Sequence, residues 1–323
     1  MVPTTAPLAS VLIPTRNRLA LLKRALESVY SQDYPNCEIL VLDDGSADGT
    51  SDYIRSHHPE IRLFRHEESR GQIIGRNLLT REAKGDYLVN LDDDAFFLNA
   101  DAISNVVARM EAEPELGIIN FRVVDPEGHV PFFAEAEYYT SDFWALGYCV
   151  RKAALQETGC YREVLKWGFE ERDLGLRVLD RGYRLLQFPD ATVVHPRFVP
   201  GKALPGSPEY RKMAETWLLI GKSRLLYAWL NEPFPWYALS TCNALVKYTI
   251  KAAWRGHAGA VLEGFWQAAK DFPQFRATRR PVSSKTMRLY LALGRTRVSE
   301  ASKIRALYQS PPGFFATLFG LTS

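Results

Sequence analysis

Three adjacent carboxylates, Asp92, Asp93 and Asp94, follow a run of apolar, strand-forming residues at 86–91. Neighbouring carboxylates repel one another, and burying them without a cation is costly. Mg²⁺ and Mn²⁺ prefer oxygen ligands and often share them with substrate phosphates. In an extended segment Asp92 and Asp94 point to one side and Asp93 to the other. The run therefore suggests a metal site, although a solvated acidic loop after a strand would give the same three residues.

Two further groups of polar residues have types suited to binding a nucleotide. Asp44 ends a second apolar run, where a carboxylate can accept hydrogen bonds from a base or a ribose. Turn formation and helix capping would also favour acidic and small residues there. The second group consists of the arginines in the turn 15–18 together with Arg76, which Asn77 follows. Arginine can bind phosphate bidentately or stack on a base. Taken alone, these residues fit surface charge near helix starts better than a nucleotide site.

Glu170, Glu171 and Asp173 follow the aromatic segment that contains Trp167. A carboxylate beside aromatic rings can have a raised pKa and can serve as a general base. Acidic residues are also favoured at helix starts by the helix dipole, which is the structural alternative. His195 ends a later β-forming run. It could be a third ligand to a metal that Asp residues hold.

The elements that must position these groups follow from the apolar periodicity. Short apolar runs predict strands at 10–14, 38–42, 61–65 and 86–91, and helical spacing predicts helices at 19–31, 50–57 and 73–83. Alternation of this kind predicts a mostly parallel sheet with both faces covered. Ligands of such sheets bind at the carboxyl ends of the strands. Neither a GxGxxG nor a GxxxxGK[ST] motif is present.

The remainder of the chain is predicted to divide at a Pro/Gly-rich hinge, 196–208. Before the hinge we predict strands at 117–124, 145–150, 183–188 and 192–195 and helices at 152–157 and 170–180. After the hinge we predict two amphipathic helices, at 211–230 and 238–269. The predicted domains are therefore 1–204 and 205–323. The second is basic, with 17 Lys/Arg and 6 Asp/Glu in a chain whose net charge is +3.

Composition sets the broad class of the protein. The chain has 323 residues, 46% of them hydrophobic and 24% charged, which favours a folded globular protein over a disordered one. Its four cysteines show no CxxC spacing and are predicted to be reduced thiols. We predict neither a signal peptide nor a membrane-spanning helix. A cytoplasmic protein is the expectation.

Five segments, taken in order, resemble the family 2 glycosyltransferases. They cover about residues 8–197 and read VLIPTRNR, EILVLDDGSADGT, GRNLLTREAKGDYLVNLDDDA, GYCVRKAALQETGCYRE and GFEERDLGLRVLDRGYRLLQFPDATVVH. The resemblance implies the GT-A fold, an α/β fold with a mostly parallel central sheet, here followed by a helical C-terminal extension. It also implies an inverting transfer from a UDP-, dTDP- or GDP-linked sugar to an acceptor hydroxyl. The basic, aromatic extension suits a lipid-linked or cell-envelope glycan as that acceptor.

The resemblance also implies roles for individual residues. Those expected to bind the nucleotide sugar are Pro14, Thr15, Arg16, Arg18, Asp44, Arg76, Asn77, Asp92 and Asp93. The residues expected to hold Mn²⁺ or Mg²⁺ are Asp92, Asp94 and His195. On the acceptor side the expected residues are Trp144, Gly147, Arg151 and Trp167. Glu171 occupies the position of the general base, where the family more often has Asp. Because Glu is one methylene longer, Glu170 could reach the acceptor instead.

Two rival functions and two roles for the C-terminal extension remain open. A nucleotidyltransferase also builds an acidic metal site on an α/β sheet, and a glycan-binding homologue would bind without turnover. In the extension, aromatic residues interleave with Lys and Arg. They could lie on anionic lipid at the inner face of the cell membrane, or they could pack on the catalytic domain. No nucleic-acid readout motif is present.

Overall fold

The computed structural model describes residues 6–129, 136–166, 168–195, 208–294, 299, 301–309 and 311. Its first part alternates strands and helices in the predicted order. The elements are β1 (Ala9–Thr15), α1 (Leu19–Tyr30), β2 (Cys37–Asp44), α2 (Thr50–His57), β3 (Arg62–His66), α3 (Gln72–Glu82) and β4 (Tyr87–Leu91). All seven lie within two residues of the predicted ranges. The four strands are apolar along much of their length because α1 and α3 cover the sheet.

The middle part is less regular, and the prediction is less complete there. Its elements are β5 (Phe96–Phe97), α4 (Ala102–Ala112), β6 (Leu116–Val124), β7 (Tyr138–Thr140), β8 (Gly147–Arg151), α5 (Lys152–Thr158), α6 (Glu170–Asp180) and β9 (Arg184–Val194). The two strands predicted at 183–188 and 192–195 are one strand, β9. Pro189 and Asp190 fall where the pairing with β6 shifts register, so they form an irregularity rather than a turn.

The strands form one mixed sheet in the order β3-β2-β1-β4-β8-β6-β9-β5, with β7 paired to β9. β1 to β4 are mutually parallel, and β8 runs antiparallel between β4 and β6. The predicted α/β fold with a mostly parallel central sheet is therefore confirmed. The carboxyl ends of β1, β2 and β4 lie at one edge of the sheet, which places Thr15, Asp44 and the acidic run 92–94 near one another.

The C-terminal part is helical, as predicted. It contains α7 (Pro208–Asn231), α8 (Trp236–Ala253), α9 (Ala258–Asp271), α10 (Ser284–Leu293) and α11 (Ala301–Gln309). The single helix predicted at 238–269 is wrong: α8 ends at Ala253 and α9 begins at Ala258. Gly256, which has a φ of +78°, provides the break, since a left-handed residue ends a helix.

These helices pack on the sheet-bearing part through a second apolar cluster. Leu165 and Leu176 contribute to it from one side, and Trp217, Leu226 and Phe265 from α7 and α9. Most of the predicted hinge, 196–207, lies outside the described residues. Among the helices that the structure describes, none combines the length and the apolarity needed to span a bilayer.

Candidate active site

Two carboxylates and one imidazole come together at the carboxyl edge of the sheet. One ligand atom each from Asp92, Asp94 and His195 lies within 4.8 Å of the others. His195 Nε2 lies 3.2 Å from Asp94 Oδ1. The antiparallel pairing of Phe96 with Val194 explains this, because it brings the end of β9 back to the acidic run. Two carboxylates and an imidazole are a donor set that Mn²⁺ accepts and Mg²⁺ tolerates, so these residues fit the expected metal.

Arg18 supplies positive charge to the acidic run. Its Nη1 atom donates to Asp93 Oδ1 at 2.9 Å and to Asp94 Oδ2 at 2.8 Å. Thr15 Oγ1 donates to the other oxygen of Asp93 at 2.8 Å. Asp93 therefore faces β1 through Thr15, while Asp92 and Asp94 adjoin His195. The arrangement belongs to a turn at 93–94 and not to the extended segment assumed from the sequence, because the Ala95 N–H donates to the Asp92 carbonyl oxygen at 3.1 Å. The pKa of Asp94 is lowered, because its bonds with His195 and Arg18 outweigh the effect of burial.

Arg76 is buried beneath the acidic run. Its Nη2 atom donates to Asp92 Oδ1 and, at 3.0 Å, to the Ala145 carbonyl oxygen. Gln72 Nε2 donates to the same Asp92 oxygen at 3.2 Å. Burial nevertheless raises the pKa of Asp92 to about 6, with the neighbouring carboxylates Asp93 and Asp94 adding to the effect. Arg76 thus neutralises and positions Asp92 from below.

Asp44 lies at the end of β2 and anchors the loop that leads to α3. Its carboxylate accepts hydrogen bonds from His66 Nδ1 at 2.7 Å, Ser69 Oγ at 2.6 Å, and the backbone N–H groups of Arg70 and Gly71 at 2.9 and 3.0 Å. These bonds lower the pKa of Asp44 to about 2 against the opposing effect of burial. Because four donors already engage this carboxylate, a base or ribose would have to displace one of them.

Several residues expected at the site lie elsewhere or act structurally. Asn77 is buried and exchanges two hydrogen bonds with the Tyr161 backbone, at 2.9 and 3.0 Å. Arg151 pairs with Tyr87 at the start of β4, the opposite end from the acidic run, and donates to the Met110 carbonyl oxygen at 2.7 Å. The structure does not bring these two residues to the metal cluster.

Gly147 lies opposite Leu91 at the site end of β4. A Cβ atom there would lie 2.9 Å from a methyl group of Val193, so the glycine is required by close packing inside the sheet. Pro14 is buried in β1, whereas Arg16 is exposed. Trp167 lies outside the described residues.

A cleft of about 430 Å³ adjoins the acidic run. Asp92 and Arg76 line one end, and Glu170 and Glu171 line the same space. Its apolar walls come from both parts of the chain, namely Trp144 and Phe169 from the sheet-bearing part and Ile220 and Tyr248 from α7 and α8. A concave site with a few converging polar groups among aromatic rings suits a sugar-sized ligand. The sequence did not reveal Tyr248 or Ile220, because only the packing of the helices brings them there.

Glu170 and Glu171 begin α6 directly after Phe169, a non-glycine residue with a φ of +75°. Such a backbone is unfavourable for a bulky residue and often occurs at functional sites. The pKa values of both glutamates are raised, chiefly because burial disfavours their charged forms. For Glu170 the charge of its neighbour adds to the effect. Glu170 Oε2 is buried and has no hydrogen-bond partner among the described residues. A carboxylate in this state is suited to taking a proton.

Asp173 has a different role from the two glutamates that precede it. It is fully buried and accepts hydrogen bonds from Arg162 at 2.9 Å, Arg177 at 2.7 Å and Asn231 at 2.7 Å. Arg177 is one turn further along α6, and Asn231 ends α7. Asp173 therefore joins the helix that carries the glutamates to the helical extension that closes the cleft.

The chain is similar in sequence to known glycosyltransferases. Residues 10–158 match the family model described as glycosyl transferase family 2. TuaG of Bacillus subtilis, named for teichuronic acid biosynthesis, is 33% identical over 91 residues, which are 27% of this chain and 36% of TuaG. WcaA of Escherichia coli, named for colanic acid biosynthesis, is 35% identical over 91 residues, or 27% of this chain and 33% of WcaA. The chain thus spans about a third of the length of these two relatives.

Two solved structures show the same fold. A mannosyltransferase of Pyrobaculum calidifontis in complex with GDP-Man and Mn²⁺ has a TM-score of 0.57 and 24% identity over 85% of this chain and 80% of its own. TarS of S. aureus, residues 1–349 in complex with UDP-GlcNAc, has a TM-score of 0.53 and 15% identity over 83% of this chain and 92% of its own. The chain therefore shares the GT-A fold of these glycosyltransferases, and its residues 10–158 are similar to glycosyl transferase family 2.

Proposed function

We propose that this protein is a metal-dependent, inverting glycosyltransferase that moves a sugar from a nucleotide-diphosphate sugar to an acceptor hydroxyl. One observation carries the proposal: Asp92 belongs both to the cluster with Asp94 and His195 and to the cleft that Glu170 and Glu171 line. A group for the leaving diphosphate and a group for the attacking hydroxyl therefore adjoin a single space.

The residues divide the work of an in-line displacement. Glu171, or Glu170 in its place, takes the proton of the acceptor hydroxyl, whose oxygen attacks the anomeric carbon as the bond to the diphosphate oxygen breaks. Asp92, Asp94 and His195 would hold Mn²⁺ or Mg²⁺, which supplies positive charge for the departing diphosphate. Arg18, exposed and hydrogen-bonded to Asp94, is available to pair with a phosphate. A positioned base typically contributes about 10²–10⁴ in rate.

The relatives support a substrate class for the proposal. TuaG and WcaA are named for teichuronic acid and colanic acid biosynthesis, and the two solved structures hold GDP-Man and UDP-GlcNAc. We therefore propose a UDP-, dTDP- or GDP-linked donor and a lipid-linked or cell-envelope glycan as acceptor. The enzyme would act in the cytoplasm, at the inner face of the cell membrane.

A thermal-shift panel of nucleoside diphosphates and nucleotide sugars, each with and without Mn²⁺, tests the donor and the metal together. A ligand at 100 times its Kd stabilises the native state by about 2.7 kcal/mol, which a melting curve resolves. We expect one nucleotide class to stabilise the protein only with the metal, and Asp94→Asn to abolish the effect.

Asp125→Asn is the matched control. Asp125 belongs to a second group of potential ligand residues, with Glu127 and His129, and should leave the shift unchanged. Stabilisation by nucleotide without any dependence on metal or on Asp94 would contradict the metal role. The released product separates the rival function: a glycosyltransferase releases a nucleoside diphosphate, whereas a nucleotidyltransferase releases pyrophosphate from a nucleoside triphosphate. A glycan-binding homologue would release neither.

A further inference from the structure

Helix α8 carries an exposed apolar stripe. Val246 and Ile250 are 62% and 54% exposed, and Leu239 extends the stripe by two turns toward the start of the helix. Trp254, which directly follows the last residue of α8, continues the stripe and is 89% exposed. Spacings of seven, four and four residues keep all four side chains on one face of a helix. A face of this kind is ordinarily polar where a helix meets water, so its apolar character needs an explanation.

The opposite face of α8 packs inward. Ala244, Tyr248 and Ala252 recur every four residues on that face; both alanines are buried, and Tyr248 lines the catalytic cleft. The Tyr248 ring lies 6.1 Å from the Phe169 ring, centroid to centroid. Since a helix with its side chains is about 10–12 Å across, the stripe lies about one helix diameter from the cleft.

The charge along α8 itself is of one sign, whereas α9 carries the exposed Glu263 one turn before Trp266. Residues 233–262 contain no Asp or Glu, whereas Lys247, Lys251 and Arg255 are exposed beside the stripe. On the next helix, α9, Trp266 is also exposed, and Lys270 Nζ lies 4.9 Å from the centroid of its ring. Apolar and aromatic side chains flanked by Lys and Arg suit an interfacial helix on anionic lipid. A second copy of the same face would instead oppose like charges.

We propose that the exposed face of α8 docks this protein on an anionic bilayer surface. This docking would hold the cleft about one helix diameter from the headgroups, where a lipid-linked acceptor presents its hydroxyl. The docking proposal rests on the proposed function in this respect, because only a glycosyltransferase would use such an acceptor. The apolar stripe enters the headgroup region, while Lys247 and Lys251 pair with lipid phosphates.

Flotation of the full chain with vesicles tests this directly. The vesicles are phosphatidylcholine alone, or phosphatidylcholine with about a third phosphatidylglycerol. We expect the wild-type chain to float with the anionic vesicles and to partition at least about tenfold more weakly onto the neutral ones. The Lys247→Gln/Lys251→Gln variant should partition roughly 30-fold more weakly, at about 1 kcal/mol for each charge. The Val246→Ser/Ile250→Ser/Trp254→Ser variant should stay in the bottom fraction.

Leu98→Ser is the control for the loss of an exposed apolar side chain. Leu98 is 63% exposed and follows β5, away from α8, and the variant should float like the wild type. Failure of the wild-type chain to float, or equal flotation of the α8 variants, would overturn the docking proposal. Concentration-dependent dimerisation that the Ser variant abolishes would also overturn it, in favour of a second copy as the occupant.

Donor binding separates this proposal from the proposed function. The thermal shift with Mn²⁺ and nucleotide is measured on each preparation, and we expect the α8 variants to keep the wild-type shift because they leave the metal cluster intact. A normal shift without flotation removes only the docking surface. Flotation without any nucleotide-dependent shift removes the proposed function and leaves a lipid-binding protein.

Discussion

Asp173→Asn should destabilise the protein strongly although Asp173 does not line the cleft. The carboxylate is fully buried and bridges Arg162, Arg177 and Asn231. The substitution keeps the volume of the side chain but removes its charge. Two guanidinium groups then lose their shared counter-charge, and α6 loses its charged link to the end of α7.

The geometry sets the expected size of the effect. Removing one partner of a buried ion pair costs about 3–5 kcal/mol, because the other charge stays buried and unpaired. The Arg162 side chain is 21% exposed and can regain some hydration, so we expect the lower end, about 3 kcal/mol. Because the urea m-value grows with chain length and is about 3 kcal/mol/M or more for a chain of this size, the unfolding midpoint should fall by up to about 1 M.

Urea unfolding followed by tryptophan fluorescence and circular dichroism measures this change. Asp52→Asn is the matched control: the Asp52 side chain is 88% exposed and lies 3.5 Å from Arg55, and an exposed pair of this kind contributes less than about 1 kcal/mol. A midpoint for Asp173→Asn within experimental error of that control would refute the reasoning that α6 and α7 are joined through a buried charge.

Three other predictions concern titration. First, activity should rise with pH through an apparent pKa above that of an ordinary glutamate, since burial raises the pKa of both Glu170 and Glu171 and the base must be deprotonated; a kcat/KM profile checks this. Second, Glu170→Gln should raise the melting temperature at pH 8 but not at pH 4. A carboxylate whose pKa is raised in the folded state lowers the free energy of unfolding of the protein as pH rises through that pKa. Gln cannot ionise, so the variant does not lose stability in this way. Third, Asp44→Asn should cost about 1–3 kcal/mol at pH 7. The pKa of Asp44 is lowered to about 2, so the stabilisation that its charged form provides is present above the unfolded-state pKa and is lost as pH falls toward 2. The melting temperatures of the variant and the wild type should therefore converge in acid.

The first half of the fold could be predicted because local and tertiary preferences agree there. Strands such as Ala9–Thr15 are continuous apolar runs, and α1 shows one buried face of Leu22, Ala25, Leu26 and Val29. Helix α4 was missed although Ile103, Val106, Val107 and Met110 have helical spacing. The break at Gly256 was missed because a single glycine inside an apolar pattern does not by itself end a helix.

The candidate site was predictable in its residue types but not in its pairing. The grouping of Asp92 with Asp94 depends on a turn at 93–94 and on the return of β9, and not on alternation along an extended segment. Asn77 holds the Tyr161 backbone, and Arg151 donates to the Met110 carbonyl oxygen in α4. Both arrangements depend on contacts between residues distant in sequence. The cleft wall formed by α7 and α8 depends in the same way on how the helices pack.

Turnover by two single variants tests the central claim most directly. Release of nucleoside diphosphate is measured with Mn²⁺ and the donor found in the thermal-shift panel, alongside the Kd of that donor. We predict that Glu171→Gln lowers kcat by about 10²–10⁴ while the donor Kd stays within about twofold of wild type. Loss of activity in Glu170→Gln alone would transfer the role of base to Glu170. Wild-type turnover by both variants would contradict the account of this cleft as the active site of a glycosyltransferase.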